Sequence, residues 1–544
     1  MTTQTYPAPS LDRAAGVLVG SACGDALGAG YEFGSPLPDD APVAMIGGGL
    51  GPFAPGEWTD DTAMALVIAQ AASDGHDLRS QSGLEAVARG FLTWFAEGPK
   101  DIGNQTRAVL SASRDSDASV MTDVSRRLHH SRPDRSAGNG SLMRTGPVAL
   151  AHLHDSPEVL RDAAIAVSDL THADPVAGEA CAIWSLAIRH AVLYASFEGL
   201  RTALAYLPAD RAAWWAERLD DAERRPPREF RHNGWVVEAL QAAWSAITRT
   251  PVPEDDPAND SFAAHHYRAV VEAAVRGGGD TDTVAAIAGA LAGARWGVTA
   301  VPWRWRRILH GWPGLRSPDL VALGVQAARL STGRPATTRN GWPAAARLDY
   351  SDWFGTNTVV PHPHDDGVVL AGVGALDHLP DGVDAVVSLC RIGRAQWPAV
   401  GVAPQDHVTF WLLDEPGPAN SHLDLVLAEA ADAVAGLRSE GRRVLLHCVA
   451  AHSRTPTVAA LYSSRWLGVP ADRGLEEVCR VLPDASPNPS FRSAYDRLSA
   501  FAATAIAQSP AGRTGCHPLP SRHSSASPAC RPSMSGRRPT SLDP

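Results

Sequence analysis

Two short stretches of this chain combine carboxylates and hydroxyls in a way that could hold hard metal ions. Residues 277–283 read Gly-Gly-Gly-Asp-Thr-Asp-Thr, and residues 58–62 read Trp-Thr-Asp-Asp-Thr. Each precedes a helical spacing of apolar residues: Val284, Ile287, Ala288 and Leu291 in one case, Met64, Val67 and Ile68 in the other. Asp and Thr are good helix caps, and one such cluster would need no further explanation. Two in one chain point to a shared site for two ions, with oxygen donors of the kind Mg²⁺ or Mn²⁺ prefers.

A different chemistry is written at 444–455, Val-Leu-Leu-His-Cys-Val-Ala-Ala-His-Ser-Arg-Thr, where five residues separate Cys448 from Arg454. The run reads as a buried strand, a loop and a helix start. A thiol at such a turn meets N–H groups and a helix N-terminus, which favour the thiolate and make a nucleophile. The same N–H groups and the Arg454 fork suit a phosphate dianion. Ser453 or Thr455 could then help the thiolate leave. Four more polar stretches, 101–106, 138–144, 171–175 and 231–238, interrupt helical patterns. Each could be a cap or turn; Gly138 to Ser141 could also offer N–H groups to a diphosphate.

The elements that must position these groups fall into two patterns. Helical spacing covers 10–30, 62–74, 83–97, 101–112, 118–129, 142–152, 157–170, 175–195 and further segments to 330, with little strand-like alternation, so residues 10–330 read as an all-α domain. Residues 331–350, rich in Thr, Arg and Pro, read as a linker. Over 351–507 short apolar runs at 368–370, 385–389, 408–412 and 444–446 alternate with helical stretches, which indicates an α/β domain with a largely parallel sheet and a core of its own. The Ser-, Pro- and Arg-rich stretch 508–544 reads as a disordered tail, with Cys516 and Cys530 incidental.

In combination, six motifs of the first domain resemble the ADP-ribosylglycohydrolase family, which includes the dinitrogenase-reductase-activating glycohydrolases. They are Gly24 to Gly28, Thr59 to Thr62, Asp101 to Asn104, Gly138 to Arg144, Thr171-His172 and Gly279 to Thr283. The resemblance implies an all-helical fold with two Mg²⁺ or Mn²⁺ ions in a central cleft, and release of ADP-ribose from modified side chains. It implies Thr59, Asp60, Asp61, Asp280, Asp282 and Thr283 as metal ligands. It further implies Gly140, Ser141, Leu142, Met143 and His172 as ADP-ribose contacts, with Asp101, Gly103 and Asn104 lining the cleft. Asp60, Asp61 or Glu32 would take a proton from the attacking water. The second domain resembles the cysteine-dependent protein tyrosine and dual-specificity phosphatases. That implies a phosphocysteine formed on Cys448, Arg454 as the phosphate fork, and a carboxylic acid from another loop: Asp414 first, Glu415 and Asp406 as alternatives. Ala451 stands where that family usually has glycine, which sets the loop geometry against a residue that resists positive φ.

Composition narrows the rest. A chain of 544 residues with a formal charge of −11 is expected to be a multidomain globular protein, not a general nucleic-acid binder. Seven cysteines without a CxxC pair suggest neither a zinc ribbon nor a disulfide scaffold. No signal peptide and no apolar run of about 18 residues are legible, so a cytoplasmic protein without membrane contact is expected. The expected partners are an ADP-ribosylated protein or an ADP-ribose-containing small molecule, with a phosphoprotein for the second domain. The rival readings are a binding module that holds ADP-ribose or phosphorylated partners without turnover, and a phosphatase regulated by an ADP-ribose-binding first domain. Two further signals read as structural: Trp303 to Arg307 as a packed helix with an exposed basic edge, and the His-rich 361–366 as a loop.

Overall fold

Two helices form the axis of the first unit, Ala8–Gly28 and Thr281–Trp296. Gly16 and Gly20 face Gly289 and Gly293, and Gly24 lies on the Ala285 backbone, with no room for a Cβ at any of these contacts. The backbones can therefore meet directly. Helix Thr281–Trp296 is buried along nearly its whole length, so it runs through the middle of the core. Helices Asp60–Ser73, Pro175–Tyr194, Val236–Arg249 and Ser317–Leu330 surround this pair. The computed structural model describes residues 8–38, 40–113 and 117–507; the expected tail at 508–544, with Cys516 and Cys530, lies outside the described residues.

Among the described residues of 10–330, the only strands are His310–Gly311 and Leu315–Arg316, a short antiparallel pair. Two expected helices start late. The one read from 101 begins at Asn104, and the one read from 142 begins at Gly146 after a 3₁₀ turn at Asn139–Ser141. Pro147 at the first turn sets the second start, since proline suits the first helical position. Pro175–Tyr194 is long and apolar enough to span a bilayer by composition, but it is 72% buried inside the first unit as a core helix.

The second unit carries a five-stranded sheet in the order Val359–His362, Asp365–Ala371, Val444–His447, Ala385–Ser388, His407–Thr409. The first pair is antiparallel and the others are parallel. The His-rich stretch is thus an edge hairpin, not a loop. Pro361 is tolerated because an edge strand has a free side. His362 and His364 bond Ala459 O, Ser463 and Glu477 at 3.2, 2.9 and 2.7 Å, which fixes them as framework.

The two units do not have separate cores. Their buried apolar residues form one connected cluster, and helix Trp303–Ile308 lies between them. Arg306 is buried and donates to Thr409 O at 2.9 Å; Arg307 pairs with Asp406 and Glu440 at 3.0 and 2.6 Å. The basic edge expected to face solvent is therefore largely spent on the second unit. Residues 331–350 are no free spacer either. Trp342 and Leu348 are buried, and Arg394 and Ala395 donate their N–H groups to Ala345 and Ala346 at 2.9 Å. Polar composition hid a segment anchored by two large apolar side chains.

Candidate active sites

Asp280 reaches its position through glycines. Gly278 and Gly279 hold φ of 76° and 74°, in the left-handed region that glycine permits, and helix Thr281–Trp296 starts immediately afterwards. Asn233 Oδ1 accepts the Asp280 N–H at 3.0 Å, and Asn139 Nδ2 donates to Asp280 Oδ2 at 2.8 Å. Facing this helix start is another, that of Asp60–Ser73, capped by Thr59, whose Oγ1 accepts the Asp61 N–H at 3.4 Å. The two clusters meet: Thr283 Oγ1 donates to Asp61 Oδ1 at 3.2 Å. Carboxylate oxygens of Glu32, Asp280 and Asp282 lie within 4.8 Å of one another.

Asp25 holds the Thr59–Thr62 turn in place. Its carboxylate accepts the Thr59 N–H at 2.9 Å, the Thr62 N–H at 3.0 Å and the Thr62 hydroxyl at 2.6 Å. Sequence reading gave Asp25, Asn139 and Asn233 no role. All three lie inside quoted motifs, but their function is to brace other residues, which spacing along the chain does not display.

The electrostatics of the cluster call for cations. Burial, followed by neighbouring carboxylates, pushes Glu32 up to about 8 and Asp60 up to about 7, and drives Asp61 and Asp282 well above the carboxyl range. Asp61 Oδ2 is buried and has no hydrogen-bond partner. An all-oxygen donor set with an unpartnered carboxylate oxygen fits a hard divalent ion. Glu32 sits as close to Asp280 and Asp282 as a ligand would, so the structure groups it with the metal-binding candidates as well as with the acid–base ones.

The remaining candidates divide. Gly103 donates its N–H to Asp60 Oδ2 at 3.4 Å, Asp101 is near enough to raise Glu32 and Asp60, and Asn104 is exposed at its helix start. Beside Thr59, Asp60 and Asp101 opens a cavity of about 420 Å³ walled by Trp58, Trp94 and Trp312. Gly140 lies against the His172 ring, where a Cβ would come within 3.0 Å of Cε1. Ser141, Leu142 and Met143 are buried, and the Ser141 hydroxyl is taken by Ser168 and Cys181 at 2.9 and 3.4 Å. These three side chains are packed into the interior, so an ADP-ribose contact by this stretch would be made through its backbone. Ser141 ends the 3₁₀ turn Asn139–Ser141, and Leu142 and Met143 follow it.

In the second unit, strand Val444–His447 delivers Cys448 to a loop that ends at helix Arg454–Trp466. Ala451 adopts φ 57°. The alanine therefore takes the left-handed conformation that glycine would take, at a cost of about 1–2 kcal/mol. Arg454 is buried; its Nη1 donates to Leu412 O at 2.8 Å, and its Nε lies 3.7 Å from Asp414 Oδ2 without a hydrogen bond. Asn488 Nδ2 holds Asp414 Oδ1 at 2.9 Å. Of the two hydroxyls weighed beside the thiol, Ser453 accepts from Asn488 N–H at 3.1 Å, whereas Thr455 Oγ1 is buried and unpartnered. Of the alternative acids, Asp406 is locked between Arg307 and Arg442, and Glu415 is exposed.

Comparison with known proteins addresses the first unit. The chain matches the ADP-ribosylglycohydrolase family over residues 7–336. The ADP-ribosylarginine hydrolase Tri1 of Serratia proteamaculans (strain 568) is 30% identical over 306 residues, 54% of this chain and 75% of that protein. The ADP-ribosyl-[dinitrogen reductase] glycohydrolase of Rhodospirillum rubrum is 28% identical over 304 residues, 54% of this chain and 89% of that protein. The crystal structure of human DUSP28 aligns with 26% of this chain at 22% identity and a TM-score of 0.22. With more than half of its length matched to that family, and the acidic helix starts of its motifs meeting in one place, the chain belongs to the ADP-ribosylglycohydrolases.

Proposed function

We propose that the chain is a divalent-metal-dependent hydrolase that releases ADP-ribose from modified arginine side chains of proteins. The observation that carries this reading is the meeting of Asp60–Asp61 with Asp280–Asp282 around the unpartnered Asp61 Oδ2. The similarity to the ADP-ribosylarginine hydrolase of Serratia proteamaculans supports arginine as the leaving group. Thr59, Asp60, Asp61, Asp280, Asp282 and Thr283 would hold two ions, Mg²⁺ or Mn²⁺. Bound there, such ions supply a grip on ribose hydroxyls and a water of lowered pKa. Cleavage at the anomeric carbon builds positive charge on the ribose, and the surrounding carboxylates face that charge. Of the three candidate bases, Asp60 and Asp61 are buried and Glu32 is only half-buried, so Glu32 is the one able to pass a proton to solvent. The Gly138–Gly140 turn against His172 would receive the diphosphate through its backbone. The test is incubation with arginine- and serine-ADP-ribosylated peptides, with Mg²⁺ or Mn²⁺, while free ADP-ribose is measured. Release from the arginine peptide is expected; binding without release would favour the binding-module reading.

A second activity rests on Arg454 Nε and Thr455 Oγ1, both buried and unpartnered beside the Cys448 loop. A phosphate monoester would fill those positions. The Cys448 thiolate would attack phosphorus, Asp414 would protonate the departing oxygen, and water would then cleave the phosphocysteine, returning the thiolate and phosphate. Hydrolysis of an aryl phosphate by the full chain, lost in Cys448→Ser, tests it.

A further inference from the structure

His447, directly before Cys448, belongs to a buried run of hydrogen bonds that crosses three strands. Ala399 donates its backbone N–H to His407 Nδ1 at 3.1 Å. A ring nitrogen that accepts carries no proton, so the proton of neutral His407 sits on Nε2. From Nε2 it is donated to Ser388 Oγ, 2.8 Å away. The single hydroxyl proton of Ser388 is then directed at His447 Nε2, 2.6 Å away. His447 accepts at Nε2, so its own proton is on Nδ1 and is donated to the Cys448 carbonyl at 3.1 Å. Sheet register builds this run, because Ser388 pairs with His447 across parallel strands. Ser388, His407 and His447 are all buried. Burial pushes His447 down to about 4 and His407 well below the usual histidine range, so both rings are neutral.

The carbonyl that His447 holds is the one polar group attached to the nucleophile's own backbone that would repel a thiolate. Its oxygen accepts from His447 Nδ1 at 3.1 Å, so its negative end has a hydrogen-bond partner that ties it down. We propose that Ser388 and His407 are positioning residues for the Cys448 thiolate, fixing His447 in the Nδ1–H form that ties down the Cys448 carbonyl. The inference rests on the reading of Cys448 as a nucleophile.

Two measurements on the full-length chain test it. The first is the tautomer of His447 by ¹⁵N-histidine NMR; the second is the rate of iodoacetamide alkylation of Cys448 at pH 6.5. Wild type is expected to show Nδ1–H. Ser388→Ala removes the donor to Nε2, so His447 should shift toward the Nε2–H form, and Cys448 alkylation should slow about tenfold as thiolate is lost. Ser388→Thr keeps the hydroxyl and should restore both readouts. His407→Gln keeps an N–H donor toward Ser388 and should resemble wild type, whereas His407→Leu should move both readouts in the direction of Ser388→Ala. An Nε2–H form of His447 in wild type, or a Ser388→Ala chain unchanged in tautomer and rate, overturns the proposal. If wild-type Cys448 is itself slow to alkylate, the nucleophile reading fails, and the tautomer shift alone decides whether the relay exists.

Discussion

Thr283 Oγ1 and Asp61 Oδ1 are 3.2 Å apart and 222 positions apart in the chain. That contact joins two helix starts into one acidic site. The other oxygen of Asp61 is buried without a partner, and burial together with the neighbouring carboxylates disfavours its ionised form. Asp61→Asn removes one of the repelling carboxylates. The metal-free variant should therefore melt at a higher temperature than metal-free wild type, yet lose most of the rise that wild type shows on adding Mn²⁺, since binding stabilises only through affinity for the folded state. ADP-ribose release should fall at least a hundredfold. Thermal denaturation with and without metal reads both effects, and a variant that still gains the full rise with Mn²⁺ would remove Asp61 from the ligand set.

The acidic cluster also sets a pH dependence. In the metal-free chain Glu32 is held up to about 8 and Asp60 up to about 7, so between pH 6.5 and 8 the folded state keeps protons that the unfolded chain has released. Stability must then fall as pH rises through that window. Buried histidines such as His172, pushed down to about 3, act in the opposite sense, but only below about 6.5, where the unfolded chain charges. Urea melts after EDTA treatment should show a loss on the order of 1–2 kcal/mol from pH 6.5 to 8. Saturating Mg²⁺ should flatten the trend. A flat metal-free profile would mean the carboxylates are already ionised without cost.

Asp25 anchors the Thr59–Thr62 turn by accepting three donors. Asp25→Asn turns one acceptor into an N–H₂ group facing the Thr62 N–H and hydroxyl. Residues that orient ligands usually weaken metal affinity by roughly 10–100-fold when changed. Mn²⁺ titration of the variant should show a loss of that size, with the helical circular dichroism retained; unchanged affinity would reduce Asp25 to a helix-packing residue.

The two chemistries should separate by reagent, even though the units share a core. EDTA should stop ADP-ribose release and spare aryl phosphate hydrolysis. Cys448→Ser should do the reverse, because a serine hydroxyl is a far poorer nucleophile than a thiolate. Ala451 already adopts the left-handed loop conformation, so Ala451→Gly should relieve strain of about 1–2 kcal/mol and leave phosphatase turnover equal or higher. Phosphate release that survives Cys448→Ser but stops with EDTA would place that activity at the metal site.

Residue type and short spacing were enough to read the local features of this chain. Apolar periodicity gave the helices of the first unit and the strands of the second, because burial of one face acts within a few residues. Asp60, Asp61, Asp280, Asp282, Cys448 and Arg454 were legible for the same reason: each lies at a helix start or loop whose chemistry is local. Which of these groups meet depends on contacts between residues far apart in the chain, which short spacing does not display. The fold brought Glu32 to Asp280 and Asp282, set Asp414 beside Arg454 and withdrew Asp406 into the Arg307 pair. It turned Ser141, Leu142 and Met143 into the core and made the polar 331–350 a packed segment. Ala451 shows the limit most directly. Its identity argued against positive φ, but closure of the loop between a strand and a helix imposed φ 57° on it. One side chain's preference of about 1–2 kcal/mol is small against the packing that holds both ends.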